Sequence, residues 1–417
     1  MMQQHWAVFI NNNSNKTGFI GQLLSDRLPV PFVSLNGKRA ALFSKLELDQ
    51  FIEEEERHDH KILTSETTQS LQTMSSGERK KALLTYLLST KPDYLVLDNP
   101  FDNLDMSFQE TFKKMLGKIA SEINMVQLIS RREDLLPFVT NYAVLEGSKL
   151  VILDERSEFT GRMEHKALNP DTAIPSAPEL PCKSADPLIL LKNVSVFYSG
   201  KPILRDINWR IRPGEFWQLA GRNGSGKTTI LSMITGDNPK GYGQELYIFG
   251  RRKGSGETVW DIKRQLGYFT PAMIDRFRGY HSLEHMLISG LTDSIGLYLR
   301  PTEAQIRIAN EWLHLLGLEG FRDTYFHDLS TGLQRLVMCA RAMIKHPPLL
   351  ILDEPTAGLD DNSAALFVSL VNKFARESST AIVFVSHRAE PGLKPNAVFQ
   401  LEMTAQGSVG TVLPPGD

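Results

Sequence analysis

Apolar residues in this chain gather into short runs, of strand rather than helix length, each closed by polar residues, Gly or Pro. Early in the chain these runs occupy 6–10, 31–35, 40–44, 94–97, 125–130, 142–145 and 150–153, and each predicts a strand. Helical patterns stand between them at 82–88 and 107–122. The acidic run Glu53 to Glu56 reads as the solvated face of another helix. The alternation returns later, with strands predicted at 188–198, 203–211, 215–220, 245–249, 266–269, 349–352 and 381–386 and helices at 229–235 and across 282–317. Strand and helix alternating through both halves is the pattern of an α/β fold. Residues 155–187 break that pattern. Pro170, Pro175, Pro178, Pro181 and Pro187 punctuate a polar stretch that reads as a semi-extended, exposed linker. The expected division is a domain at 1–154, the linker, and a second domain at 188–417.

One loop carries clear chemistry. The strand at 215–220 runs into Gly221-Arg222-Asn223-Gly224-Ser225-Gly226-Lys227-Thr228-Thr229 and then into a helix, which is the phosphate-loop pattern G-x-x-x-x-G-K-[ST] in its strand–loop–helix setting. The glycines let backbone N–H groups converge on a phosphate, and the helix start adds the positive end of its dipole. Lys227 is expected to reach the β- and γ-phosphates and the Thr228 hydroxyl to ligate Mg²⁺. Two later strands end in ionisable residues, one in Asp353-Glu354 and the other in His387. The plain alternatives are a Gly-rich turn, a strand-end surface pair and an ordinary strand-end histidine. The basic stretch Arg251-Arg252-Lys253 reads as a solvated charge run.

The same features recur upstream in weaker form. Lys16-Thr17 matches Lys227-Thr228, and Ser14 matches Ser225, while Ile10, Asn13 and Asn15 stand where the loop has Gly221, Gly224 and Gly226. Asn tolerates positive φ better than other non-glycine residues, so a similar turn is expected there; an Asn-rich surface turn is the alternative. Ser75-Ser76-Gly77-Glu78 matches Ser330-Thr331-Gly332-Leu333, Asp98-Asn99 matches Asp353-Glu354, and Arg131 matches His387. Ser75 and Ser330, like Asp98 and Asp353, lie 255 positions apart, whereas the two loop lysines are only 211 apart. One domain therefore occurs twice, and its first copy is shorter between the phosphate loop and the serine motif.

A phosphate loop, a Ser-x-Gly helix start, a strand ending Asp-Glu and a strand ending in His, in this order and in tandem, resemble the ATP-binding-cassette ATPases. The resemblance implies two P-loop nucleotide-binding domains in tandem, each with a mixed core sheet and a helical subdomain, reduced in the first. It implies ATP and Mg²⁺ as ligands and an ATPase reaction. Tyr198 would stack on adenine, and Gly221, Asn223, Gly224, Ser225, Gly226, Lys227, Thr228 and Thr229 would cradle the phosphates. Asp353 and Thr228 would hold the metal, Glu354 would orient the attacking water, and His387 would contact the γ-phosphate. In such pairs the cassettes face head to tail, so Ser75, Gly77 and Glu78 would complete this site from the other domain. The second composite site would be depleted at Ile10, Asn13, Asn15, Asn99, Arg131, Thr331 and Leu333. Pro271 replaces the usual Gln, which puts that residue's metal-sensing and coupling roles in doubt. Longer strings, among them Thr235 to Tyr242 and Phe249 to Lys263, resemble the tandem group named for molybdate transport and for photorepair.

Composition changes this picture little. With 46 basic and 48 acidic side chains the net charge is −2, so there is no strong nucleic-acid signal. Cys182 and Cys339 lack CxxC spacing and read as free thiols of a reducing, cytoplasmic compartment. The start lacks the pattern of a signal peptide, and no run of 18 apolar residues occurs. A role in anion transport would therefore need integral membrane permease subunits, docked near Pro271–Gly290 on the inner face of the membrane. A soluble regulatory ATPase and a translation-factor-type tandem cassette are the other readings. The modest Pro-rich linker and Asn99 argue against the last.

Overall fold

The computed structural model describes every residue except 1–2, 12–13, 59, 65–68, 156–171, 178–184, 278, 298–299, 389 and 415–417. Asn13, Cys182 and most of the expected linker therefore lie outside the described residues. The chain divides into two compact units, Met1–Glu164 with Gly358–Asn362, and His165–Ala357 with Ser363–Asp417.

In the first unit β1 (His5–Ile10), α1 (Lys16–Leu23), β2 (Ala40–Phe43), α2 (Lys45–His58), α3 (Ser76–Ser89), β3 (Tyr94–Asp98), α4 (Met106–Ile119), β4 (Asn124–Ile129), β5 (Asn141–Glu146) and β6 (Lys149–Leu153) follow in order. The strands form one sheet, β2-β3-β4-β1-β5-β6, parallel except for the β5–β6 hairpin. All six residues of β1 are buried, which is why its sequence is a solid apolar run and not an alternation. One face packs on Leu97, Phe101 and Phe112, the other on Phe19, Phe32 and Leu35. The strand expected at 31–35 is instead a 3₁₀ turn, Phe32–Leu35. Only Phe32 and Leu35 of it are buried, a spacing of one 3₁₀ turn, while Val33 faces solvent. The acidic helix face is not wholly solvated either: Glu55 is buried and accepts the Leu71 N–H.

The second unit holds β7 (Ile189–Tyr198), β8 (Lys201–Ile211), β9 (Phe216–Gly221), α5 (Lys227–Ile234), β10 (Glu245–Ile248), β11 (Arg251–Arg252), α6 (Val259–Arg264), β12 (Leu266–Phe269), α7 (Leu283–Ser289), α8 (Glu303–Leu316), α9 (Thr331–Met343), β13 (Leu349–Asp353), α10 (Asp361–Glu377), β14 (Ala381–Val385), β15 (Ala397–Glu402) and β16 (Val409–Leu413). Its main sheet, β12-β13-β14-β9-β15-β16, repeats the strand order and orientations of the first. A second, antiparallel sheet, β11-β10-β7-β8, has no counterpart among the described residues of the first unit. Helices α7, α8 and α9 pack around Trp312, Phe277 and Phe326 as a helical subdomain. The molecule is thus α/β, with two copies of a mixed sheet and a fuller second copy.

Two expectations change here. The linker is not exposed throughout: Ile174 is buried in the second unit's core, its N–H donates to Glu377 at 2.8 Å, and the Pro175 carbonyl accepts from His346. Lys253 is not a solvated charge. Its side chain is fully buried, 3.7 Å from Glu257 and over the Tyr242 ring, while Arg251 and Arg252 stay exposed. Among the described residues no helix is long and apolar enough to cross a membrane.

Candidate functional site

In the second unit the phosphate loop leaves the end of β9 and enters α5 at Lys227. Gly226 caps the helix at φ 94°, and a Cβ there would lie 2.6 Å from the Leu204 side chain. Only Gly meets both demands. Ser225 is fully buried and its hydroxyl has no partner among the described residues, an orphan donor inside the loop. Lys227 Nζ reaches back to the carbonyls of Gly221 at 2.7 Å and Arg222 at 3.1 Å. Thr228 stands exposed on the first turn, beside half-buried Thr229.

The sheet register brings the strand-end residues to this loop. β14 lies between β9 and β13, so Asp353 at the end of β13 pairs with Val385, and His387 follows just beyond β14. Glu354 takes φ 48°, and its N–H donates to Val385 O at 3.0 Å. His387 Nδ1 lies 3.3 Å from Glu354 Oε1. That contact holds Glu354 below the usual carboxylate range, against the upward push of burial. Burial and the neighbouring Glu354 charge push Asp353 up, opposed by the Tyr268 hydroxyl at 3.3 Å and by Lys227.

A cleft of about 270 Å³ is lined by Tyr198, Ile203, Asn223, Gly224, Gly226, Lys227, Thr228, Thr229 and Glu354. Residues far apart in the sequence thus share one cavity within the second unit. Tyr198 ends β7 with its ring 40% exposed, so it is not a core residue. Its hydroxyl accepts from Asn238 Nδ2 at 2.8 Å, and Lys240 Nζ sits 5.6 Å from the ring centroid. Asn238 also donates to Ser232 Oγ and accepts from the Lys240 N–H. The reading of motifs missed Asn238, Lys240 and Tyr268. The only sequence signal was the unusual string from Thr235 to Tyr242, which suggests no contact with Tyr198 by itself.

Mg²⁺ binds oxygen donors near phosphates, and the residues present fit it. Two adjacent carboxylates, Asp353 and Glu354, repel each other at the cleft, and a divalent cation would relieve that repulsion. Thr228 offers a hydroxyl from the same cavity.

The first unit places its counterparts differently. Asn15 has φ −75°, not the positive φ of Gly226, so the two loops do not share a conformation. Asn15 acts instead as a helix cap: its side-chain oxygen accepts the Gly18 N–H. Asn99 does repeat Glu354, with φ 43° and its N–H donating to Leu128 O. Ser75 caps α3 in a full capping box with Glu78, whose carboxylate accepts from the Ser75 N–H and is held below its usual range by it. Gly77 is buried, and a Cβ there would meet the Phe108 ring at 2.8 Å. Ser330, the matching cap of α9, makes no side-chain cap bond, and Leu333 has no side-chain acceptor to form a capping box with it.

Comparison with known proteins agrees with this geometry. Residues 204–357 match the family model described as ABC transporter. The chain is 38% identical to the ABC transporter ATP-binding protein ModF of Escherichia coli over 76% of its own length and 67% of that protein. It is 30% identical to the uncharacterized ABC transporter ATP-binding protein C323.04 of Schizosaccharomyces pombe, over 76% and 66% of the two chains. With YDR061W of Saccharomyces cerevisiae, also an uncharacterized ABC transporter ATP-binding protein, identity is 26% over 80% and 68%. The chain belongs to the ABC transporter ATP-binding proteins, a family of ATPases.

Proposed function

We propose that the second unit is the hydrolytic half of the molecule and works at the cleft between Tyr198 and Glu354. The observation that carries this is the convergence of Tyr198, Lys227, Thr228 and Glu354 on one cavity. Tyr198 stacks on adenine, and Asn238 fixes the rotation of its ring. The amides of 221–229 and Lys227 bind the phosphates at the start of α5. Thr228 and Asp353 would hold Mg²⁺, which would supply positive charge to the phosphate oxygens. Glu354, kept ionised by His387, orients a water and takes its proton as the oxygen bonds to the γ-phosphorus. The bond to the bridging oxygen breaks, and ADP leaves with the electron pair. Positioning and charge stabilisation account for most of such catalysis. By the family's motif, Ser75, Gly77 and Glu78 belong to this reading as further nucleotide-contacting residues. The first unit, with Asn99 and Arg131 where the second has Glu354 and His387, does not hydrolyse ATP.

The division into cassettes at 1–154 and 188–417 goes with this reading. The likeness to the ABC transporter ATP-binding protein ModF supports coupling to an ABC transport system, and the strings that resemble the molybdate-transport group make this chain a cytoplasmic motor for an anion of that type. Tyr280 is 79% exposed and packs edge-on against Tyr325, within the stretch read as a permease-docking surface. Exposed aromatic residues in contact with each other favour a partner there. The test is Glu354→Gln. Turnover should fall by roughly 10²–10⁴-fold while ATP is retained. Recovered from native membranes with ATP, this variant should hold a stoichiometric integral membrane protein. Recovery alone or with soluble proteins would make it a regulatory ATPase uncoupled from transport. Equal loss from Asn99→Ala and Glu354→Gln would sink the single-site mechanism.

A further inference from the structure

In the first unit the described residues at the start of α1, Ser14 to Gly18, are engaged in the protein's own bonds. We infer that they form a structural clasp, closed by Lys16 and Asp98 and capped by Asn15, so that the chain holds one ATP and not two. This rests on reading the Lys227 loop as a nucleotide site.

The two lysines differ in what holds them. Lys227 contacts two backbone carbonyls, which a phosphate can replace, and its charge also acts on Asp353 and Glu354. Lys16 Nζ contacts both oxygens of Asp98, at 3.0 and 3.1 Å, and the Asp98 side chain is only 11% exposed. Moving Lys16 onto a phosphate would open an ion pair at a largely buried carboxylate and leave Lys80 and any arriving cation to offset its charge, a cost against binding. Burial already pushes Asp98 up and Lys16 opposes it.

The helix start is taken as well. An anion at a helix N-terminus needs unpaired amides. In α1 the Asn15 side-chain oxygen receives the Gly18 N–H at 3.1 Å, and its amide nitrogen donates to Ser148 Oγ at 3.1 Å. The Asn15 N–H donates to Gly147 O at 2.7 Å, which ties the loop to the β5–β6 turn. Ser14, the counterpart of orphaned Ser225, donates to Leu145 O and accepts the Asn11 N–H. Next to Asp98 in the sequence, Asn99 accepts from both the N–H and the hydroxyl of Ser130. The sheet that carries an adenine platform in the second unit is missing here among the described residues. A nucleotide would have to break an ion pair and a cap and would gain no stacking partner.

The experiment is calorimetric titration of the full chain with ATP and Mg²⁺, in the Glu354→Gln background to prevent turnover. One site per chain is expected. Lys227→Ala should abolish it. Lys16→Met should leave stoichiometry unchanged and affinity within about twofold, while lowering the unfolding temperature. The pair Lys16→Met with Asp98→Leu keeps the pocket neutral and serves if the single variant fails to fold. Two sites per chain, or one site lost with Lys16→Met and kept with Lys227→Ala, would overturn the clasp. No site in any variant would overturn the reading of the Lys227 loop instead, and the count of one with it.

Discussion

Glu354 sits where a side chain is least comfortable, at φ 48°. Non-glycine residues in this region carry about 1–3 kcal/mol of strain, and Asn tolerates it best. Glu354→Asn should therefore abolish turnover and stabilise the second unit by about 1 kcal/mol in urea unfolding. A loss of stability would mean that the His387 contact outweighs the strain. His387 also governs ionisation. Because Glu354 is held below its ordinary range, it stays charged at neutral pH and is lost as a base only when pH falls through that lowered value. His387→Ala removes the contact, leaves burial opposed only by the Lys227 charge, and should move the acid limb of the kcat/KM profile to higher pH. An unmoved limb would exclude His387 as the group that keeps Glu354 ionised. Asn238→Ala releases the Tyr198 hydroxyl. It should raise KM for ATP several-fold with little change in kcat, and one neutral hydrogen bond of roughly 1 kcal/mol sets that size. A fall in kcat alone would remove Asn238 from adenine binding.

At the scale of elements, the phosphate loop and the strand-end acids were legible because their chemistry is local. Gly226 has to be glycine, and nine consecutive residues announce it. The repeat was legible too, since equal spacing from Ser75 to Ser330 and from Asp98 to Asp353 needs no structure to be seen. What stayed hidden depends on who meets whom. Asn238 is forty positions from Tyr198, and the string around it does not say where its amide points. Residues 31–35 look like a strand in a one-dimensional pattern, yet Phe32 and Leu35 alone turn inward. Lys253 reads as a surface charge until Glu257 and Tyr242 are found around it. Asn15 was expected to imitate a glycine and instead uses the side chain that a glycine lacks. The linker hid an apolar anchor in a proline-rich context. Ile174→Ala should destabilise the second unit by about 2 kcal/mol in denaturant unfolding, the lower end for a buried Ile with residual exposure. No change would mean that 172–177 contributes no packing energy.

At the scale of the whole molecule, two sheets of identical strand order serve different ends. One carries a cleft with an orphaned hydroxyl and opposed carboxylates; the other has consumed the equivalent groups in its own bonds. ATP with Mg²⁺ should slow amide hydrogen exchange across 221–235 and leave 14–23 and 94–98 unchanged. At a hundredfold excess over Kd the protection should amount to about 2.7 kcal/mol. Protection of both loops would show that the first still senses nucleotide. The shared backbone angle at Glu354 and Asn99 has a consequence for how such a chain drifts. If Glu354→Asn stabilises as expected, the carboxylate at that turn persists only while turnover is under selection. A copy relieved of that duty slides to Asn, gains stability, and can accept other mutations that its partner could not survive. Restoring the acid alone would be an uphill step with no reward, because the clasp would still exclude the substrate. The asymmetry is in that sense a ratchet, and the retained glutamate identifies the half that still has to work.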